Sequence, residues 1–259
     1  MPVNHYRARA IERFKPKRGL VFDIGSGGGF FLEFMRRRGW STLGIEPAQE
    51  LVEYSTDVLG LPNIICAAWP PELELDFRAD VVCMFHVIEH LLDPLDALAK
   101  TNQVLADDGL LVLETPNIES LARILFGKRC TQYDAPRHIC LFARRTLALC
   151  LEKAGFEIMW TVIYSPTVLE YTESLRYLVK DLGLRRYRDK NAAKEMEASG
   201  ENVADFSPKP DRIQSFPSRK LALQLFHDLE RTFFRTIDFG AQVVGKGCNI
   251  LAIAKKRSS

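Results

Sequence analysis

The stretch VFDIGSGGGFF, residues 21–31, decides the fold of this chain. An apolar run that is typical of a buried strand ends at Asp23, and three glycines follow at Gly25, Gly27 and Gly29. Glycines at this place let the loop between a strand and a helix bring its backbone N–H groups close to a ligand. The stretch therefore predicts a nucleotide-binding loop at the end of the first strand.

Strand-like and helix-like segments alternate on both sides of this loop. The strands are predicted over 20–24, 41–47, 63–68, 79–87, 110–117, 157–164 and 245–256. The helices are predicted over 6–14, 30–40, 48–60, 93–109, 146–156, 167–184 and 218–239. Regular alternation of this kind favours a doubly wound sheet. We therefore expect an α/β, Rossmann-like fold with a mostly parallel sheet of seven strands.

The alternation is interrupted before its last strand. We expect a core over 1–164, a mainly helical insertion over 165–240, and the last core strand with a tail over 241–259. Inside the insertion, the polar and proline-containing segment 188–217 is typical of a loop. The domain organisation predicted is thus one nucleotide-binding core with an elaboration.

The insertion has three interpretations. Its apolar stripes favour packing on the core or on a second subunit. A substrate lid is the second alternative. Peripheral membrane contact is the third, with Arg185, Arg186 and Arg188 facing lipid head groups.

Composition narrows the class of protein. The chain has 259 residues, 47% of them apolar and 26% charged, with a formal net charge of +2. These values are typical of a soluble globular protein. A net charge this small does not favour binding to nucleic acid. The six cysteines are scattered without a C-x-x-C pair, which favours a reducing compartment and a cytoplasmic location. The basic residues between 7 and 18 are interpreted as a solvated helix face, with contact to an anionic surface as the alternative.

The glycine spacing discriminates between nucleotides. A dinucleotide-binding loop requires a small residue where this chain has Phe30, and the observed pattern is D-x-G-x-G-x-G from Asp23 to Gly29. That pattern is the first motif of the class I S-adenosylmethionine-dependent methyltransferases, which the chain resembles over strands 1 to 5. Glu46 supports it, since a carboxylate at the end of strand 2 can accept both ribose hydroxyls.

The resemblance implies a set of cofactor contacts. Asp23 would lie near the amino group of the methionine part, and Phe85 and His86 would flank the sulfonium. Such enzymes commonly carry an acid after strand 3, where this chain reads CAAWPPE, so Ala67, Ala68 and Trp69 would supply backbone bonds and an aromatic face to the adenine. The full implied set is Asp23, Gly25, Ser26, Gly27, Gly29, Phe30, Glu46, Pro47, Ala68, Trp69, Phe85 and His86.

The run FHVIEHLLDP, residues 85–94, holds the candidate catalytic residues. If the chain turns helical there, His86, Glu89 and His90 share one face. The run resembles the E-x-x-E-H stretch of ubiquinone-biosynthesis O-methyltransferases and small-RNA 2′-O-methyltransferases, with His86 in place of the first glutamate. His138 matches the histidine that completes the metal site of the RNA enzymes.

Three interpretations of these residues stay open. A divalent metal held by His86, Glu89, His90 and His138 would polarise a hydroxyl. Alternatively, His86 or His138 acts as a general base without a metal. The interpretation given most weight is a structural role for Glu89 and His90, so no metal is assigned.

The segment DAPRHICLF, residues 134–142, points to the acceptor. Together with ETPN and KAGF it resembles a bacterial branch of the superfamily that modifies sugars and small metabolites, in which this segment covers the acceptor side. Tyr133, Arg137 and His138 are therefore candidate substrate contacts, Arg137 through its planar guanidinium. The alternative for Arg137 is an ion pair with Asp134.

The sequence thus predicts a methyltransferase that acts on an oxygen of a small molecule or glycan. Metal-assisted methylation of a quinol or an RNA 2′-hydroxyl is the first alternative. A nucleotide-binding oxidoreductase and a non-catalytic cofactor-binding protein are alternatives of other classes. No acceptor-specific motif is present, and the oligomeric state is left open.

Overall fold

The computed structural model describes residues 2–72, 75–166, 169–181 and 232–257. The segment predicted as a loop over 188–217 lies outside the described residues. So do Arg185, Arg186 and Arg188, and most of the helix predicted over 218–239. None of the helices in these ranges is both long and apolar enough to cross a lipid bilayer.

Helices and strands follow one another in the predicted order, with one additional helix over residues 121–126 that was not predicted. The helices are α1 (Pro2–Phe14), α2 (Phe30–Arg36), α3 (Gln49–Glu53), α4 (Pro94–Val104), α5 (Leu121–Phe126), α6 (Arg144–Lys153), α7 (Leu169–Asp181) and α8 (232–243). The strands are β1 (Leu20–Ile24), β2 (Ser41–Glu46), β3 (Ile64–Cys66), β4 (Ala79–Phe85), β5 (Leu105–Pro116), β6 (Phe156–Tyr164) and β7 (Asn249–Lys256).

The seven strands form one sheet in the order β3-β2-β1-β4-β5-β7-β6. The ladders from β3 to β5 are parallel, and β7 is antiparallel to both β5 and β6. The predicted α/β, Rossmann-like fold with a mostly parallel seven-stranded sheet is confirmed. The strand order reverses between β1 and β4, and this point is where open α/β sheets bind their ligands.

Apolar side chains cover both faces of the sheet. On one face, α1 and α2 pack over residues such as Val21, Val81 and Val112. On the other face, α4 and α6 pack over residues such as Phe22 and Met84. A third cluster joins α5, α7 and α8 beside the end of β7. Burial on both faces explains why these strands are continuously apolar in the sequence.

Several predicted boundaries are corrected. Helix α2 ends at Arg36 because Gly39, with φ of +85°, turns the chain before β2. Helix α4 ends at Val104 rather than near Gly109, since Leu105 already pairs with Ala79 in the sheet. The helix predicted over 48–60 is α-helical only in α3 and continues as a π-helical turn.

Two basic residues, one in α1 and one just after it, are shielded from solvent. The Nε of Arg7 lies 2.7 Å from Oε2 of Glu114, whose side chain is fully buried. Lys15 is 8% exposed and binds Asp108 at 2.7 Å. The interpretation of this basic run as a solvated helix face is therefore wrong for Arg7 and Lys15.

Candidate active site

The loop after β1 is held open by its glycines. Gly25 and Gly27 have φ of +68° and +53°, values in the left-handed region that favours glycine. The N–H groups of Gly25 and Ser26 both donate to the carbonyl of Ile45, at 2.8 and 3.1 Å. A Cβ added to Gly27 would meet nothing within 4 Å, so this residue faces open space. The loop thus exposes its backbone at Gly27 to open space.

Glu46 lies directly against this loop. One carboxylate oxygen, Oε2, accepts the N–H of Gly27 at 2.9 Å, and the other accepts the N–H of Ala48 at 3.0 Å. The side chain is only 7% exposed, so these bonds fix its orientation. Each oxygen keeps a further lone pair for a hydroxyl donor, as ribose binding requires.

Asp23 is a buried carboxylate without a complete set of partners. It is 3% exposed, and its Oδ1 makes no hydrogen bond. Burial raises the pKa of Asp23 to about 7, although the positive charge of Arg7 opposes that shift. A buried acceptor left unpaired is costly, and a ligand ammonium group would satisfy it.

These features fit S-adenosylmethionine. The Oδ1 of Asp23 and the hydroxyl of Ser26 are both buried without a hydrogen-bond partner, and the Cβ position of Gly27 opens onto free space. Glu46 borders the same loop. Asp23 would hold the ammonium group and Glu46 the ribose. Gly29, with φ of +74°, caps the N-terminus of α2.

The adenine contacts predicted after β3 are corrected in part. Trp69 is 7% exposed and lies in the core, where its Nε1 donates to the carbonyl of Ala97 and its ring contacts Phe22. It therefore offers no free aromatic face to an adenine. Pro47 and Ala68 are exposed beside the ends of β2 and β3, so their backbone atoms stay available.

Two predicted aromatic contacts have different surroundings. Phe30 is 47% exposed and its ring centroid lies 5.7 Å from that of Tyr54, so this pair borders the glycine loop. Phe85 is covered: the guanidinium carbon of Arg7 lies 4.0 Å from its ring centroid, and Phe31 contacts its edge. Of these two phenylalanines, Phe30 is the one with an open ring surface near the loop.

His86 directly follows β4 and has a left-handed conformation, with φ of +57°. Its Nδ1 lies 3.2 Å from Oε1 of Glu89, and its Nε2 lies 3.3 Å from Oε1 of Glu114. Burial alone would lower the pKa of His86, but the two carboxylates raise it to about 9. The ring is therefore a cation at neutral pH, a state that cannot accept a proton.

The sequence did not reveal the partners that hold His86. Glu114 accepts Arg7 on Oε2 at 2.7 Å and Asn249 on Oε1 at 2.7 Å, beside the His86 ring. Burial would raise the pKa of Glu114, but His86 and Arg7 lower it to about 2. An acidic residue inside the otherwise apolar strand LLVLETPN could have indicated that Glu114 is a buried carboxylate of the site. Arg7 and Asn249 gave no such signal, because their partners are remote in sequence.

His86, Glu89 and His90 do not share a helical face. The chain forms a 3₁₀ turn over Ile88–His90, and this turn sends Glu89 into the core and His90 to the surface. The condition on which the shared face depended, an α-helix directly after β4, is thus not met. Glu89 nevertheless contacts His86 through Oε1, and its Oε2 accepts the hydroxyl of Thr115 at 3.0 Å.

The structure brings together Glu89, His90 and His138. One ligand atom from each lies within 4.8 Å of the others, and the ring centroids of the two histidines are 4.9 Å apart. Nδ1 of His90 lies 2.8 Å from the carbonyl of Arg137, and Nδ1 of His138 lies 2.8 Å from that of Gln132. Since these Nδ1 atoms then carry the proton, each Nε2 keeps its lone pair.

The predicted acceptor contacts lie on the same segment as His138. Arg137 is exposed and pairs with Asp134, the alternative that the sequence left open. The Tyr133 ring is covered by Arg123, whose guanidinium carbon is 4.6 Å from the ring centroid. This segment is anchored to the site, because the N–H groups of Ile139 and Cys140 donate to the carbonyl of Glu89.

Comparison with known proteins identifies the family. The methyltransferase domain family matches residues 3–160, more than half of the chain. A ubiquinone biosynthesis O-methyltransferase of Ruegeria sp. (strain TM1040) is 32% identical over 145 residues, covering 50% of this chain and 55% of the relative. A protein of the same name from Haemophilus ducreyi is 30% identical over 123 residues, covering 44% and 51%. The chain thus spans about half the length of these curated relatives.

A solved structure shares the fold over nearly the whole chain. The SAM-dependent methyltransferase from Archaeoglobus fulgidus is similar with a TM-score of 0.53 and 20% identity, covering 98% of this chain and 93% of the other. The family match covers both the glycine loop and the residues around His86, Glu89 and His138. The chain therefore belongs to the class I S-adenosylmethionine-dependent methyltransferases.

Proposed function

We propose that this protein transfers a methyl group from S-adenosylmethionine to an oxygen of a small molecule or glycan. The observation that carries the proposal is that His138, with a free Nε2, is tied to the 3₁₀ turn that follows β4, at the ligand-binding edge of the sheet. The ubiquinone biosynthesis O-methyltransferases named above support an oxygen acceptor. A cytoplasmic location remains a prediction.

The chain's own groups would bind and orient the cofactor. Asp23 would accept hydrogen bonds from the ammonium group, Glu46 would accept them from the ribose hydroxyls, and the backbone at Gly27 would face the rest of the cofactor. The cofactor supplies an electrophilic methyl group whose leaving group needs no further activation. Much of the rate enhancement then comes from alignment in a site that excludes water.

The acceptor hydroxyl has to lose a proton, and His138 is the proposed base. Its Nδ1 is held by the carbonyl of Gln132, so Nε2 accepts the proton from the acceptor. The buried Glu89 carboxylate lies beside it and stabilises the imidazolium that forms. His86, which the sequence offered as an equal candidate, is proposed as a fixed cation instead.

The test uses the His138→Gln variant with labelled S-adenosylmethionine and a panel of catechols, phenols, sugars and primary amines. Loss of a general base lowers kcat about 10²- to 10⁴-fold, while affinity for S-adenosylhomocysteine stays unchanged. His5→Gln, on the exposed face of α1, is the matched control. Full turnover by His138→Gln would refute the base. Methyl transfer to an amine of the panel and to none of its hydroxyl compounds would refute the acceptor class.

Metal-assisted O-methylation is the second candidate, favoured by one observation. Both histidine Nδ1 atoms are held by carbonyl oxygens, which is the usual second-layer arrangement around metal-binding imidazoles. Glu89, His90 and His138 would hold a divalent cation that supplies Lewis-acid polarisation of the hydroxyl. It ranks second because both Glu89 oxygens already accept a hydrogen bond.

The metal alternative is tested by thermal melting in Mn²⁺ after chelator treatment. A metal that binds the folded state raises the melting temperature by mass action. That rise should be lost in His90→Ala and retained in His5→Ala. The same rise in both variants would exclude this site.

A further inference from the structure

A buried glutamine lies at the centre of the 3₁₀ turn whose carbonyl binds His138. The turn spans Thr131–Tyr133, and Gln132, its middle residue, is only 7% exposed. The backbone carbonyl of Gln132 lies 2.8 Å from Nδ1 of His138. The backbone of this residue therefore contacts the imidazole, while its side chain lies in the protein interior.

Both ends of the Gln132 amide are hydrogen-bonded to other elements. Its Nε2 donates to the carbonyl of Cys248, the residue before β7, and its Oε1 accepts the hydroxyl of Ser120 at 2.6 Å. Since a carbonyl can only accept, the orientation of the amide is determined. Ser120 is itself held, because its Oγ caps α5 by accepting the N–H of Arg123 at 3.2 Å. The amide thus joins the turn to the starts of α5 and β7.

The turn is held at two further places by its backbone. The N–H of Tyr133 donates to the carbonyl of Cys130 at 3.1 Å, which orients the peptide group that carries the Gln132 carbonyl. The N–H of Thr131 donates to Oγ of Ser174 in α7 at 3.1 Å. Of the three residues in the turn, Gln132 is the buried one. The position of its carbonyl relative to His138 therefore depends on the hydrogen bonds of its side chain.

We propose that Gln132 is a positioning residue, whose buried side chain fixes the turn so that its carbonyl keeps the proton of His138 on Nδ1. The inference rests on the proposed role of His138 as the base, for which Nε2 must be unprotonated. The hydrogen bond made by one ring nitrogen of a neutral imidazole decides which nitrogen carries the proton. Without an acceptor at Nδ1, the proton resides mainly on Nε2, and the ring cannot accept a proton there.

The test is the tautomer of His138, read from the ring nitrogen shifts in long-range proton–nitrogen correlation spectra at pH 8.5. His138→Gln assigns the signals, and the wild type should carry the proton on Nδ1. Gln132→Met keeps the length of the side chain but removes both hydrogen bonds, so the signals should shift toward the Nε2–H form. In the same variant kcat should fall about 10- to 100-fold, the cost of a misplaced catalytic group, while the Kd of S-adenosylhomocysteine stays unchanged.

Two references separate positioning from a general loss of stability. His90 is the internal one, since its Nδ1 is bound by the carbonyl of Arg137 and its tautomer should not change in Gln132→Met. Thr101→Val is the matched control, because it removes a buried hydrogen bond to the carbonyl of Ala97 within α4. This control should leave the His138 signals as they are in the wild type.

A wild-type His138 with its proton on Nε2 would overturn the inference, and so would an unchanged tautomer in Gln132→Met or an equal shift in Thr101→Val. Should Gln132→Met not fold, Ser120→Ala decides. It removes the bond to Oε1 together with the cap of α5 and should give a smaller shift in the same direction; no shift would overturn the inference. Full turnover by His138→Gln, with the tautomer shifted in Gln132→Met, would refute the base and leave the positioning intact.

Discussion

Asp23 shows how a single side chain can be kept for binding at the expense of stability. Its folded pKa of about 7 lies above the ordinary value of 3.8. A raised pKa means that the stabilising contribution is present below about pH 4 and is lost as the pH rises through 7. At pH 8 the ligand-free protein therefore contains a buried charge with an unpaired oxygen.

Asp23→Asn should make the ligand-free protein more stable at pH 8 by about 1–3 kcal/mol, because the amide carries no charge to desolvate. The same change should weaken binding of S-adenosylhomocysteine by about 10- to 100-fold, the value of a hydrogen bond to a charged group. Denaturant unfolding and calorimetry measure the two effects. Asp76→Asn, at an exposed position, is the control. A variant that is less stable and binds normally would contradict this account.

At the scale of elements, a substitution in the glycine loop tests the role of this loop in binding without altering the strand and helix that it joins. Gly27→Ala should cost about 1–2 kcal/mol of stability for the left-handed backbone. No atom lies within 4 Å of the added methyl group, so no packing penalty is added. Binding of S-adenosylhomocysteine should weaken by about tenfold or more, since the methyl group occupies the ligand's space.

Gly39→Ala provides the comparison for this loop variant. Gly39 also has a positive φ and open space around its Cβ position, but it lies at the turn after α2. It should lose similar stability in thermal melts and bind S-adenosylhomocysteine normally. Equal affinity in the two variants would show that Gly27 does not border the cofactor.

The elements that the sequence predicted well are those set by local pattern. Strand β1, the positive-φ glycines and the carboxylate at the end of β2 all follow from residues within a short window. Trp69 was misjudged because its burial depends on α4, whose Ala97 carbonyl binds the indole. Arg7 and Glu114 are 107 positions apart, so no local pattern could pair them.

For the whole molecule, the buried charges predict how stability depends on pH. The stabilising contribution of His86 is present below its ordinary pKa of 6.5 and is lost as the pH rises through about 9. The stabilising contribution of Asp23 is lost between about pH 4 and 7. Both slopes have the same sign because both folded pKa values are raised.

The melting temperature of the ligand-free protein should therefore fall from pH 5 to pH 9. Saturation with S-adenosylhomocysteine should make the decrease in melting temperature smaller in the range below pH 7.5, where Asp23 titrates. The decrease in melting temperature that is due to His86 should remain. The side chain of His86 is 39% exposed, so solvent screening makes its part the smaller one. A melting temperature that is constant over this range, measured by scanning calorimetry, would contradict the assignment of these charges.

The position of β7 inside the sheet has a consequence for synthesis on the ribosome. Strand β6 pairs with β7 alone, and β7 follows β6 in the chain only after α7 and α8. Until β7 has emerged, β5 and β6 both carry unpaired edges that can join other nascent chains. The half of the sheet that carries the proposed cofactor site, from β3 to β4, can assemble earlier. Cofactor binding at this stage would stabilise the incomplete protein while the edges of β5 and β6 are still unpaired.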